Sequence, residues 1–133
     1  MSKLNKESVI GISALLVHAA NIDEIYSDHE KDLIKDFIKS YLINTDADLV
    51  LKKAEEVESN SNQLLNYTNI IKENSLEIKK DIIEHLWKVI ISDNAVDQYE
   101  SNLMRRICGL IYFPDKECAE IKLKLLNLKC PTL

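Results

Sequence analysis

The stretch HLWKVIISDNAVDQYESNLMRRICGLI, residues 85–111, contains two amphipathic segments on either side of a polar corner. Apolar residues recur at helical spacing before the corner, in 85–91, and again after it, in 103–111. This spacing is typical of helices that bury one face against a core. The corner, ISDNAVDQYE at 91–100, is rich in residues that begin and end helices. The stretch therefore predicts a helix, a corner and a second helix.

The remainder of the chain follows the same helical pattern. Only 2 Gly and 2 Pro occur in 133 residues, which disfavours a turn-rich β-fold, and no segment alternates with period two over the length of a strand. The length suits one domain, assigned to residues 1–133. The sequence therefore predicts an all-α compact bundle of about seven helices. The predicted helices span residues 6–22, 27–42, 46–58, 64–74, 76–92, 98–112 and 114–130. Asp46 and Ser75 are predicted to cap the third and fifth of these helices, and Trp87 is predicted to lie on the core face of the fifth.

A weak internal repeat relates two parts of the chain at an offset of seventy residues. The first corner, DEIYSDHE at 23–30, and the second, DNAVDQYE at 93–100, both read Asp, three residues, Ser or Asp, two residues, Glu. This pattern predicts a helix–corner–helix unit that occurs twice. The matched pairs are Leu16 and Leu86, Asp23 and Asp93, Glu30 and Glu100, and Leu33 and Leu103.

Helix capping explains part of each corner. Ser27 and Glu30 match the capping box S/T-x-x-E, in which each side chain accepts a hydrogen bond from the backbone of the other residue. Asp97 and Glu100 can do the same at the second corner. Carboxylates also favour the positive end of the helix dipole, so these residues predict the first turns of two helices.

Capping does not explain Asp23 and Asp93, which follow the predicted C-terminal ends of helices, where the dipole disfavours negative charge. A positive partner there can be a basic side chain or a bound cation. Oxygen ligands suit a hard ion such as Ca²⁺ or Mg²⁺. The corners lack the D-x-D-x-D-G spacing of an EF-hand, so a cation site would combine residues from different segments. Both readings, cap and cation site, stay open on spacing alone.

Charge and cysteine content restrict the partners and the compartment. The net charge of −5 and the pI near 5.2 argue against binding to nucleic acids or to anionic lipids. The three cysteines follow no C-x-x-C spacing, which indicates reduced thiols rather than a zinc site. The apolar run VIGISALLVHAA, at 9–20, is too short to span a bilayer and has no cleavage motif. We expect a cytoplasmic protein with other proteins as partners.

Motifs for catalysis are missing from the sequence. It contains no nucleophile elbow, phosphate loop, Rossmann fingerprint or H-E-x-x-H helix. The three histidines, His18, His29 and His85, have no metal-ligand spacing. We therefore expect a protein that is not an enzyme; a small hydrolase with paired carboxylates is the weaker alternative and would need a cleft that holds them both.

Two stretches resemble a known family. Residues 85–111 are similar to the second half of the tellurite-resistance TerB family, in which a hydrophobic helix is followed by A-D-G, an apolar residue, an acidic or Ser residue, two more, Glu, and then L-x-R-R-I. LLVHAANIDEIYSDHEKDLIKDFI, at 15–38, resembles its first half. The resemblance covers about residues 9–125, and a related domain occurs at the N-terminal side of DjlA-type co-chaperones.

The resemblance implies a helical bundle with an acidic face, a link to bacterial tellurite and stress resistance, and binding of a divalent cation (Ca²⁺, Mg²⁺ or Mn²⁺). The chain departs from the family pattern where Glu24 and Asn94 replace the glycine after each Asp, and Asn keeps the required backbone more easily than Glu. An ion-independent interaction module is the alternative function. The acidic positions carried over as metal ligands are Asp23, Glu30, Asp93, Asp97 and Glu100.

Overall fold

The computed structural model describes residues 5–21, 27–43, 45–60, 64–91 and 98–129, except for the side chains of 64–66, 98–101 and 126–129. Within these ranges the chain forms seven helices and no strand, which confirms the all-α prediction. The helices are α1 (Lys6–Ala20), α2 (Asp28–Tyr41), α3 (Ala47–Ser59), α4 (Leu64–Lys72), α5 (Leu76–Ile91), α6 (Gln98–Leu110) and α7 (Asp115–Lys129). Among the described residues, no helix has both the length and the apolarity that crossing a bilayer requires.

Short polar side chains set the starts of several helices. The predicted cap Asp46 accepts a hydrogen bond from the Asp48 amide at 3.0 Å at the start of α3. The predicted cap Ser75 accepts one from the Ile78 amide at 3.3 Å before α5. Asn5 plays the same part before α1. Each cap satisfies a backbone donor that the first helical turn leaves without an intrahelical partner.

Helix α1 lies at the centre of the bundle and packs against α2, α3, α4 and α5. Its helical spacing predicts one buried face, but the structure buries all residues from Val9 to Ala20 except Ile10 and His18, which are partly covered. A helix that is apolar all round is a buried helix, because no polar face is left to meet water. The apolar run at 9–20 is therefore the central core element.

Helices α1 and α4 approach each other closely at Gly11. A Cβ atom placed on Gly11 would lie 2.5 Å from Cδ1 of Ile70, which is closer than carbon atoms can approach without a shift. The missing side chain thus allows the Ile70 side chain to lie directly against the α1 backbone.

The internal repeat extends to three helices. Moved seventy residues along the chain, α1, α2 and α3 would cover 76–90, 98–111 and 117–129, and α5, α6 and α7 begin and end within two residues of these positions. Burial repeats at the same offset in four pairs of core residues, all of them at most 1% exposed. These pairs are Ile12 and Ile82, Leu16 and Leu86, Ile34 and Met104, and Phe37 and Ile107. Helix α4 joins the two three-helix units.

Helix α6 ends at Leu110, two residues earlier than predicted, because Tyr112 adopts a left-handed backbone with φ of 60°. The Phe113 amide donates to the Cys108 carbonyl at 2.8 Å and the Tyr112 amide to the Gly109 carbonyl at 3.4 Å. These two bonds form a Schellman motif, which satisfies the last carbonyls of the helix and turns the chain toward α7.

A polar contact joins α2 to α5. The Tyr41 hydroxyl donates to Asp81 Oδ2 at 2.6 Å, and His85 Nδ1 lies 2.9 Å from the Asp81 carbonyl one turn earlier. Burial, and then the bond to Asp81, raise the pKa of Tyr41, because the phenolate would lose the bond and face a carboxylate. The ring of Phe37 packs edge-on against His85 with 5.2 Å between ring centroids.

Candidate functional site

The corner before α2 contains a complete capping box, as the sequence predicted. The Glu30 amide donates to Ser27 Oγ at 3.2 Å, and the Ser27 amide donates to Glu30 Oε1 at 2.8 Å. The Ser27 hydroxyl also donates to the same Oε1 at 3.1 Å. The local sequence S-D-H-E therefore fixes both the start of α2 and the direction of the Glu30 side chain.

Glu30 is unusual because it is a glutamate that is only 3% exposed. Glu is almost never fully buried unless it is paired, since removal of the charge from water is costly. A position at the N-terminus of α2 offsets part of this cost through the helix dipole. A carboxylate has about four acceptor positions and can therefore bond several partners at once.

The other predicted ligands fall outside the described part of the structure. Asp23, Asp93 and Asp97 are not among the described residues, and Glu100 lies in α6 with its side chain outside them. The distances between these residues lie outside the described structure, so the ligand set stays a prediction. Among the side chains that are described, no group of three or more His, Cys, Asp or Glu lies where it could hold a metal ion.

Two described histidines have structural partners. His18 Nδ1 lies 3.4 Å from Glu58 Oε2 and links α1 to α3. His85 lies against the Asp81 carbonyl within α5 and packs on Phe37 of α2. Both rings thus serve contacts between or within helices.

A cluster that the sequence did not predict lies between α5, α6 and α7. The Trp87 Nε1–H group donates to Cys118 Sγ at 3.3 Å, and Cys108 of α6 belongs to the same buried core. Both thiols are free and buried, whereas Cys130 lies outside the described residues. The Lys122 ammonium lies 5.3 Å from the centroid of the Trp87 ring.

The only sequence signal for this cluster is indirect. Cys108 lies on the buried face of α6 and Cys118 in the first turn of α7, ten residues later. The tight turn after α6 leads the chain directly into α7, and no cysteine motif marks the cluster. Trp87 was predicted to be a core residue, and it is 3% exposed.

The two thiols have unequal pKa values. The pKa of Cys118 is lowered to about 7, chiefly by its interaction with the Cys108 thiol and also by the bond from Trp87. The pKa of Cys108 is raised, chiefly by its interaction with Cys118 and also by burial. Cys118 also borders an open groove of about 500 Å³, together with Arg105, Asp115 and Lys122.

Comparison with known proteins agrees with the resemblance seen in the sequence. The family model described as tellurite resistance protein TerB matches residues 10–123, close to the 9–125 expected from the motifs. No curated protein and no solved structure matches the chain. The match includes all seven helices at least in part and both corners. The chain belongs to the tellurite resistance protein TerB family.

Proposed function

We propose that the chain is a non-enzymatic accessory domain of tellurite and stress resistance, which binds a divalent cation (Ca²⁺, Mg²⁺ or Mn²⁺) through its acidic corners. The observation that carries this proposal is the burial of Glu30, a glutamate in the first turn of α2 that is only 3% exposed. Membership in the TerB family supports the link to tellurite resistance. Cytoplasmic localisation and protein partners belong to the same proposal.

The repeat extends the argument to the second corner. Glu30 is the third residue of α2, and Glu100 is the third residue of α6. Asp97 precedes α6 as Ser27 precedes α2, so the second corner has a carboxylate where the first has a hydroxyl. Asp93 adds another negative charge to this corner. Carboxylates that crowd one corner repel one another, and a hard divalent cation relieves that repulsion while taking the oxygens as ligands.

Conservative amide variants separate capping from cation binding. Asp97→Asn keeps a good N-cap residue, and Glu100→Gln and Glu30→Gln keep the capping box, which accepts Gln. Asp93→Asn removes the charge that capping does not use. The measurement is the melting temperature of chelator-treated protein, with and without millimolar Ca²⁺, Mg²⁺ or Mn²⁺, together with calorimetric titration of each ion.

We expect the wild-type protein to melt higher with the ion, because a ligand that binds only the folded state adds about 2.7 kcal/mol of stability at a concentration of about 100 Kd. The triple variant Asp93→Asn, Asp97→Asn, Glu100→Gln should fold and lose this gain. Glu30→Gln should reduce the gain if the first corner contributes a ligand. Asp36 is exposed and lies on the same helix as Glu30, so Asp36→Asn is the matched control. It should keep the full gain in melting temperature with the ion.

Equal melting temperatures of the wild-type protein with chelator and with each ion would contradict cation binding. The alternative function, an ion-independent interaction module, would then be the better description of the domain. In that case the corners only cap helices, and the amide variants should match the wild type in all conditions.

A further inference from the structure

We propose that the groove between α5, α6 and α7 binds a small monocarboxylate with an apolar body, and that Arg105 holds the carboxylate. The groove has a volume of about 500 Å³, which lies in the usual range of small-molecule sites. Neither the acidic corners nor membership in the TerB family enters this proposal.

A basic residue occupies the same place in both units of the internal repeat. In the first unit, Lys35 on α2 pairs with Asp48 Oδ1 of α3 at 3.1 Å and with Asp32 Oδ1, one turn earlier, at 3.5 Å. Arg105 on α6 lies seventy residues after Lys35 and is therefore its counterpart. It is exposed and lines the groove. The repeat thus places an arginine where the first unit has a cation with two carboxylates.

Both of those carboxylates are replaced by uncharged groups in the second unit. The counterpart of Asp48 is Cys118, and the counterpart of Asp32 is Asn102. Among the side chains that the structure describes, no ion pair includes Arg105. The planar guanidinium of arginine matches a carboxylate through two parallel hydrogen bonds. A carboxylate from outside the chain can therefore take the place that Asp48 has in the first unit.

The charges around the groove fit a ligand with a single negative charge. Arg105 and Lys122 are the basic residues among its described lining, and Asp115 is the acidic one, so two positive charges and one negative charge leave a net charge of +1. The chain as a whole carries −5, so this local excess of positive charge departs from the rest of the molecule. A monoanion neutralises the groove.

The remaining lining of the groove is largely apolar. Trp87 and Met104 lie at its base, 3% and 1% exposed, and the Trp87 N–H group already donates to Cys118 Sγ at 3.3 Å. Ala119 also lines the groove, and its counterpart in the first unit is the larger Leu49. The smaller side chain leaves space for an apolar body beside the charged residues. An apolar lining with a few polar groups is typical of small-molecule sites.

Phenylacetate is the probe, because it joins a carboxylate to a compact apolar ring. It is titrated at neutral pH into the isotope-labelled full chain, and amide chemical shifts give both the dissociation constant and the location of binding. We expect saturable shifts around the groove on α6 and α7, with a Kd of about 1 mM or lower. Phenylacetamide, which lacks the charge, and acetate, which lacks the ring, should each bind at least about tenfold more weakly.

Variants on α6 test the role of the guanidinium. Arg105→Gln should weaken phenylacetate binding by about tenfold or more. Arg106→Gln is the matched control, because Arg106 is exposed next to Arg105 but does not line the groove, and it should keep the full affinity. Asn102→Asp returns the carboxylate that the first unit has at this position, and competition from it should weaken binding about twofold. All three positions are exposed, and circular dichroism shows that each variant is folded.

Three results would overturn the proposal. One is phenylacetate that gives no saturable shifts around the groove. The second is equal affinity for phenylacetate and phenylacetamide, which would show that the carboxylate is not bound. The third is an equal loss of affinity in Arg105→Gln and Arg106→Gln, which would show a general attraction by surface charge instead of a site.

Discussion

Truncation of Leu86 to alanine tests the assignment of the core. Leu86 is completely buried on α5, at the repeat position that corresponds to Leu16 on the central helix. Burial of a Leu side chain contributes about 1.5–3 kcal/mol, and the cavity left by truncation adds to this loss. Because α5 packs on both α1 and α7, the surrounding side chains are held from two sides and can close the cavity only in part. We expect a loss of about 2–5 kcal/mol in the free energy of unfolding.

Urea unfolding followed by far-UV circular dichroism measures this loss. With a slope of about 2 kcal/mol/M, the middle of the usual range for small proteins, the midpoint should fall by about 1–2.5 M. Leu123→Ala is the matched control, because Leu123 lies within α7 and is 60% exposed. That change should alter stability by no more than about 0.5 kcal/mol. Equal midpoints for the two variants would show that the buried face of α5 is assigned wrongly.

Two further changes test local features of the fold. Gly109→Ala should raise the free energy of unfolding by about 0.5–1 kcal/mol, because Gly109 is exposed in a helix and a Cβ there meets no atom within 4 Å. Gly11→Ala should give a smaller gain or a loss, because its Cβ would press on Ile70 of α4. Thermal melts of both variants measure the difference. Tyr41→Phe should cost about 1 kcal/mol at neutral pH through the lost bond to Asp81. Folding raises the pKa of Tyr41, so this contribution is fully present below the ordinary tyrosine pKa of about 10 and is lost as the pH rises beyond it. The urea midpoints of the variant and the wild type should therefore converge in alkali. A difference in midpoint that stays constant with pH would contradict this.

Local sequence rules predicted the helices well, because their ends are set by nearby residues. The caps at Ser27, Asp46 and Ser75 begin helices as expected. The early end of α6 was not predicted, because left-handed backbone is typical of Gly or Asn and the chain has Tyr112 there. Sequence periodicity also showed only one stripe of α1, since burial on its other sides depends on which helices surround it.

The candidate site also has features that follow from nearby residues and features that follow from helix packing. The capping box at Glu30 follows from four consecutive residues, so the sequence alone predicted it. The bond from Trp87 to Cys118 depends on how α5 packs against α7. Such a contact is a property of the packed molecule, and no spacing rule along the chain contains it.

The position of Trp87 also gives the protein a built-in optical probe. The chain has one tryptophan, so all indole emission comes from this ring, which is 3% exposed where α5 meets α7. Separation of the two helices would expose the ring to water and shift its emission to longer wavelength. Sulfur in contact with an excited indole quenches it, to an extent that differs between thiol, thiolate and disulfide. Fluorescence of the unlabelled chain therefore reports the docking of α7 through its wavelength and the chemical state of Cys118 through its intensity.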